Sequence, residues 1–174
     1  MKNLLIFGIF FLSNSPGSVS YNKGLPSINE IRNLYGKSLK SEDDCQKLID
    51  ILEPCKKDPL YLGYSGCATM MMAKHAFSPF SKLSYFKKGK IMLEDAIKAD
   101  DKNFELRFLR FIAQTNMPSF LGYNDSIGKD KKFILNSFSQ INDISLEEYV
   151  LPALQKSKDL NQSEKEKLES ERLR

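Results

Sequence analysis

Helix start and stop signals recur along almost the whole chain and leave little sequence in which a β-strand could form. Valine, a typical strand residue, occurs only at positions 19 and 150. Asp58 and Ser78 each precede a proline directly, which favours the start of a helix there. Three serines that precede apolar stripes have an acidic residue three positions later, the spacing of an N-terminal capping box: Ser27 with Glu30, Ser41 with Asp44, and Ser145 with Glu148. These patterns predict an all-α protein of about seven helices, packed as compact antiparallel hairpins.

Apolar residues spaced by three and four positions indicate where each helix buries one side. They predict a fourth helix after Pro79, a fifth from Phe104 to about Asn116, and a sixth from Asp125 to Ile141. Gly89 lies inside the fourth helix and weakens it by roughly 1 kcal/mol relative to alanine. A glycine at this place indicates a close contact with a neighbouring helix.

The first 20 residues have the three-part form of a secretory signal. Lys2 gives a positive charge, residues 4–12 are an unbroken apolar run, and the small residues Ser18 and Ser20 occupy the two positions that a signal peptidase reads. A helix of that apolar run spans only about 14 Å, roughly half of a bilayer core. We therefore expect residues 1–20 to be a signal peptide, cleaved near Ser20, and the protein to be periplasmic or secreted. The alternative is a buried N-terminal helix.

The rest of the chain suits one domain. Residues 21–160 are expected to form a single helical domain. Residues 161–174 hold only Leu168 and Leu173 as apolar residues among alternating charges, so this segment is predicted to be an exposed helix or a frayed tail. No later segment approaches the roughly 18 apolar residues of a transmembrane helix, so none is expected in the mature chain.

Export makes the three cysteines candidates for a disulfide. Cys45 and Cys55 are expected at opposite ends of one helix, about 15 Å apart and beyond disulfide reach. Cys55 and Cys67 could meet across neighbouring helices, although three buried free thiols are an equal alternative. The chain has no C-x-x-C spacing and a single histidine, His75, so no metal site is expected. No cofactor is expected either.

The segment from Met92 to Glu105 resembles the junction between two tetratricopeptide repeats. Gly89, Leu93 and Ala96 fall at the small, bulky and small positions of that family, and residues 100–103 stand where it has a D-P-x-N-like turn. The resemblance covers about 50 residues, or about one and a half repeats. It implies helical hairpins that bind a peptide or protein in a concave groove, and so few repeats favour a compact bundle. Residues 106–110 and 118–123 also resemble a group of exported bacterial helical proteins, from which no function follows.

The fifth predicted helix carries the most suggestive polar side of the sequence. Arg107, Arg110 and Gln114 are spaced so that they line up beside its apolar side. Two guanidinium groups and an amide in one row could hold a carboxylate or a phosphate through bidentate hydrogen bonds. The alternative is that both arginines pair with acidic residues of neighbouring helices or face water.

Two further groups of residues are candidates for binding a partner. Tyr61, Tyr64 and the methionines at 70–72 could line an adaptable groove, although their helical spacing also fits core packing. The loop from 118 to 123 offers Phe120 and Tyr123 for recognition, or it packs inward and closes the core.

Charge and motifs narrow the function classes. The net charge of +4 comes from 26 basic and 22 acidic residues, and no concentrated basic patch stands out, so nucleic-acid binding is not expected. No G-x-S-x-G and no glycine-rich phosphate loop occurs in the sequence. We expect a non-enzymatic, exported, helical-repeat-like protein that binds a protein or peptide. The alternatives are an enzyme whose carboxylates converge in three dimensions, or an architectural subunit of an envelope assembly.

Overall fold

The computed structural model describes residues 26–172, and helices are the only regular secondary structure in that range. It contains eight α-helices and no strand, which confirms the all-α class. The α-helices are α1 (Ile28–Ser38), α2 (Glu42–Leu52), α3 (Pro59–His75), α4 (Pro79–Ala99), α5 (Phe104–Asn116), α6 (Ile127–Ser137), α7 (Ile144–Lys156) and α8 (Gln162–Arg172). Short 3₁₀-helices follow α2, α5 and α6, at Glu53–Cys55, Ser119–Leu121 and Phe138–Gln140. Within residues 26–172, none of the helices has the length and apolar character needed to cross a bilayer. The predicted signal peptide, residues 1–20, lies outside the described residues.

Local capping explains where most of the helices begin. The hydroxyl of Ser27 accepts a hydrogen bond from the backbone N–H of Glu30, whose carboxylate accepts one from the backbone N–H of Ser27. At α7 the predicted capping box is wrong, because Asp143 and not Ser145 is the N-cap residue. The Ser145 hydroxyl lies within hydrogen-bond distance of the Asp143 carboxylate, at 2.6 Å, and of the Asn29 side chain of α1, at 2.9 Å.

The long helices α3 and α4 form an antiparallel hairpin whose backbones touch. An ideal Cβ atom on Gly89 would lie 2.4 Å from the carbonyl oxygen of Gly66, and one on Gly66 would lie 2.8 Å from that of Gly89. On the same side of α3, a Cβ atom on Gly63 would lie 2.3 Å from a methyl group of Leu106 in α5. The close helix contact predicted from Gly89 is therefore confirmed.

Helix α5 lies between two apolar clusters and is covered on all sides. Residues 105–111 are all buried. Leu106 and Leu109 pack in a cluster with side chains of α1 to α4, whereas Phe108 and Phe111 pack in a second cluster with side chains of α6 to α8. Because a covered helix also buries its charged side chains, each of those needs a partner inside the protein.

Glu105 finds its partners on the α1 side of α5. The guanidinium of Arg32 donates two hydrogen bonds to its carboxylate, at 2.8 and 2.7 Å, and the hydroxyl of Tyr64 donates a third at 2.5 Å. Burial, the neighbouring Tyr149 and the Glu105 carboxylate raise the pKa of Tyr64, so its hydroxyl stays protonated and can donate. The cluster joins α1, α3 and α5.

The C-terminal helix α8 packs against α7, although its composition predicts an exposed helix or a tail. Leu168 is fully buried and belongs, with Leu160, to the second apolar cluster. The Gln155 side chain donates to the carbonyl oxygen of Lys165 at 2.9 Å. Residues 162–172 thus form a helix that Leu168 and the Gln155–Lys165 hydrogen bond attach to the packed helices, while most of its other side chains are exposed.

All three cysteines are free and buried, and the predicted Cys55–Cys67 disulfide is not formed. Cys55 precedes α3, whereas Cys67 lies in its third turn, roughly 12 Å along the axis from the helix start and beyond disulfide reach. Burial raises the pKa of the Cys67 thiol to about 12. Burial, with a smaller contribution from Glu42, raises the pKa of Cys45 to about 11. Both thiols are therefore protonated and unreactive at neutral pH, as in the alternative of buried free thiols.

Candidate functional site

An apolar groove opens where the α3–α4 hairpin meets the end of α5. Its walls come from the end of α3, the start of α4, the end of α5 and the segment that follows α5. Tyr35 and Leu39, at the end of α1, complete one side. The cavity has a volume of about 860 Å³, which lies in the range of pockets that enclose most of a small ligand.

The segment after α5 takes its position from two local signals. Pro118 follows Asn116 and Met117 and cannot continue the helix, so α5 ends there. Gly122 has a φ of 61°, in the left-handed region that favours glycine, and it closes the 3₁₀-helix Ser119–Leu121. This turn carries Phe120 and Leu121 to the groove.

Methionine and aromatic side chains form much of the groove surface. Met70, Met71 and Met117 line it, and methionine adapts its shape to different partners. Phe86 lines the groove and packs edge-on against Tyr123, with ring centroids 6.0 Å apart. Met70 is also a buried member of the core cluster, as is Met72, which does not line the groove. The methionine run thus contributes to both the groove and the core.

Large apolar side chains remain exposed around the groove. Phe120 is 84% exposed and Leu83 is 41% exposed, and both line the groove. Phe77 and Phe80 lie at the turn between α3 and α4, next to groove residues, and are 102% and 87% exposed. Exposed apolar side chains gathered around a concave surface are typical of an interaction site.

The groove is positively charged at its edge. Among the described residues, the only charged side chains that line it are Lys74 and Lys82. Lys74 donates to the carbonyl oxygen of Leu39 at 3.1 Å, which places its ammonium group at the edge next to α1. The groove therefore combines an apolar interior with two cations.

The structure places Arg107 and Arg110 inside the protein, around Asp130 of α6. The fully buried carboxylate of Asp130 accepts from Arg107 at 2.8 Å and from two nitrogens of Arg110 at 2.7 and 2.9 Å. Arg110 also donates to Glu94 of α4 at 2.7 Å. This is the predicted alternative in which both arginines pair with acidic residues of neighbouring helices. No anion-binding role is proposed for them.

Three other predicted binding residues are also buried. The Gln114 side chain donates to Asp125 and accepts from the backbone N–H of Ser126, both at 3.2 Å. The Tyr123 hydroxyl donates to Glu94 at 2.6 Å, and Tyr64 donates to Glu105. Of the six predicted binding residues, only Phe120 lines the groove.

Sequence reasoning missed Leu83 and both lysines of the groove. Leu83 continues the buried stripe of Phe86, Gly89 and Leu93 by one turn towards the start of α4. Its spacing is therefore that of a core residue. The point at which neighbouring helices cease to cover the stripe depends on the tertiary structure, so this signal could not separate groove from core.

The acidic residues do not form a recognisable reactive site at the groove. Glu94 and Asp130 converge on Arg110, but neither lines the groove. Between residues 26 and 172, no group of three or more His, Cys, Asp or Glu side chains is placed to hold a metal ion. Comparison with protein-family models, with curated proteins and with solved structures gave no significant match.

Proposed function

We propose that this protein is a non-enzymatic interaction module that binds an apolar helical segment of a protein or peptide partner in the groove. The observation that carries this proposal is the apolar cavity of about 860 Å³ with exposed apolar side chains beside it. Helix-in-groove recognition needs such a surface, because the partner helix buries its apolar side there. Methionine-rich walls suit this mode, since they repack around different partners.

The resemblance to tetratricopeptide repeats supports the same proposal. Gly89, Leu93 and Ala96, on which that resemblance depends, are all buried. Gly89 and Leu93 lie within 4 Å of the Cβ position of Gly66, and Leu93 and Ala96 lie within 4 Å of that of Gly63. In that family, stacked helical hairpins present a concave groove to peptides or proteins. The proposal for this chain rests on its own groove and takes the resemblance as support.

The test is a selection of peptides followed by a comparison of two aspartate variants. Peptides selected from a random-sequence display library on the full chain are expected to carry apolar residues at i, i+3, i+4 and i+7. Leu83→Asp places a charge in the groove and is expected to weaken a selected peptide at least about tenfold, or about 1.4 kcal/mol. Fluorescence anisotropy of the labelled peptide measures the change.

Ile91→Asp is the matched control, because Ile91 lies on the same helix, is 61% exposed and does not line the groove. It is expected to leave the affinity unchanged, and circular dichroism checks that both variants are folded. Equal affinity of both variants for every selected peptide would refute the proposal that the groove is the binding site. Self-association of the chain that Leu83→Asp abolishes would favour the architectural subunit instead.

We also propose that the module acts after export, on the basis of the sequence of residues 1–20. The mature protein recovered from cells that produce the full chain is then expected to begin at or near Tyr21. Mass spectrometry of its N-terminal peptide measures this, and a chain that starts at Met1 in the cytosolic fraction would contradict it.

A further inference from the structure

The α3–α4 hairpin has an unusual charge composition that the balance of the whole chain conceals. Residues 59–93 contain five lysines, at positions 74, 82, 87, 88 and 90, and no aspartate or glutamate. The chain as a whole has 22 acidic residues in 174, so a stretch of this length would on average hold about four. Asp58 and Glu94 stand directly outside it. This hairpin supplies half of the residues that line the groove, among them both of its lysines.

The two groove lysines are not neutralised within the described part of the chain. Lys74 is in the last turn of α3 and Lys82 in the first turn of α4, and both are exposed. None of the ion pairs formed within residues 26–172 includes either of them. Asp125, an acidic residue that contacts the end of α5, is hydrogen-bonded by Gln114. A carboxylate brought by a partner would therefore meet two unpaired ammonium groups.

The apolar surface extends beyond the cavity, which favours a helix over a single acyl chain as its occupant. Phe77, Phe80 and Phe120 come from two separate segments and stand almost wholly in water. Phe120 lines the cavity, whereas Phe77 and Phe80 do not, so an acyl chain enclosed in the cavity would leave those two rings exposed. A helix about 10 Å wide would cover the cavity and contact rings on its edge as well.

We propose that the groove recognises an acidic amphipathic helix, whose apolar side fills the cavity and whose Asp or Glu residues pair with Lys74 and Lys82. This inference rests on the proposed function and names the chemistry of the partner. The apolar contact supplies most of the affinity, whereas the lysines select the sign of the partner's charge and speed its association. A basic helix with the same apolar side is rejected, because like charges would then face each other at the edge of the groove.

The experiment repeats the library selection on the full chain and on the double variant K74E/K82E. Peptides selected on the unaltered chain are expected to be acidic, with their Asp and Glu residues flanking the apolar stripe. Peptides selected on K74E/K82E are expected to be basic. For one acidic peptide, the double variant should weaken binding about tenfold at low salt, and about 0.5 M NaCl should remove most of that difference.

The matched control is K129E/K132E, which changes the same charge on α6, away from the groove, at two exposed lysines with no ion pair among the described residues. It should leave the affinity of the acidic peptide unchanged within about twofold. If Leu83→Asp removes binding but the selected peptides show no charge preference, the proposal of an acidic partner is refuted. The proposal that the groove binds an apolar helix is then still supported. If no peptide is selected, both proposals fail.

Two further probes test whether a membrane or a lipid, and not a peptide, occupies the groove. Vesicles of phosphatidylcholine with about a quarter phosphatidylserine test an anionic membrane, and palmitate tests a single-chain anionic lipid. Saturable binding of either probe that depends on Lys74 and Lys82, without peptide selection, would overturn the proposal. Binding of the acidic peptide alone, or its displacement of the lipid probe, supports it.

Discussion

Replacing Asp130 by alanine is expected to lower the free energy of unfolding by about 3–5 kcal/mol. The Asp130 carboxylate is fully buried and accepts hydrogen bonds from both Arg107 and Arg110. Without it, the carboxylate of Glu94 remains as the partner of Arg110 alone. Arg107 would then be a buried cation without a carboxylate. Urea unfolding followed by circular dichroism measures the loss.

Asp95→Ala is the control for this prediction. Asp95 lies next to Glu94 on α4, is exposed and takes part in no ion pair among the described residues. Its replacement is expected to change stability by no more than about 0.5 kcal/mol. If both alanine variants unfolded at the same urea concentration, the two arginines would have to be solvated, and the buried network around α5 would be disproved.

Replacing Gly89 by alanine is expected to destabilise the protein by about 2–3 kcal/mol, although alanine is the better helix former. The new Cβ atom would lie 2.4 Å from the carbonyl oxygen of Gly66 and 2.6 Å from the backbone nitrogen of Met70. Both are backbone atoms, so α3 and α4 must move apart. Because Met70 lines the groove, the affinity for a groove-bound peptide is expected to fall as well. Thermal unfolding and fluorescence anisotropy measure the two effects.

Gly36→Ala makes the same chemical change in α1, where no atom lies within 4 Å of the added Cβ position. Here the helix propensity of alanine acts alone, and the protein is expected to become more stable by about 0.5–1 kcal/mol. The opposite signs of the two variants form the test. A stabilising Gly89→Ala would show that α3 and α4 do not touch at their glycines.

Several features of the fold follow from short stretches of sequence. Asn103 caps α5, and Met117-Pro118 ends it, so the predicted helix 104–116 is the observed one. The glycine inside α4 correctly predicts the close contact with α3. These predictions succeed because a cap, a proline or a glycine acts on backbone atoms that lie close to it.

Predictions that depend on residues far away in the chain are not reached from local patterns. The spacing of Arg107 and Arg110 places them on one side of α5, but it cannot say what lies opposite. Asp130 is 20 residues from Arg110 along the chain, and it turns a candidate anion site into an internal ion pair. In the same way, Asn29 binds the Ser145 hydroxyl from 116 residues away.

The sequence by itself determined that the chain is helical, where most helices start, and which residues have a side to bury. Only the tertiary structure decided which charged residues are enclosed and where an apolar stripe is left uncovered. The physical reason is the distance along the chain over which each interaction acts. Backbone hydrogen bonds and side-chain periodicity act within a turn or two of helix, whereas burial depends on which distant segments pack together. The groove lies at Leu83, where neighbouring helices no longer cover the apolar stripe of α4. The local sequence of α4 does not distinguish this position from the buried positions of the stripe.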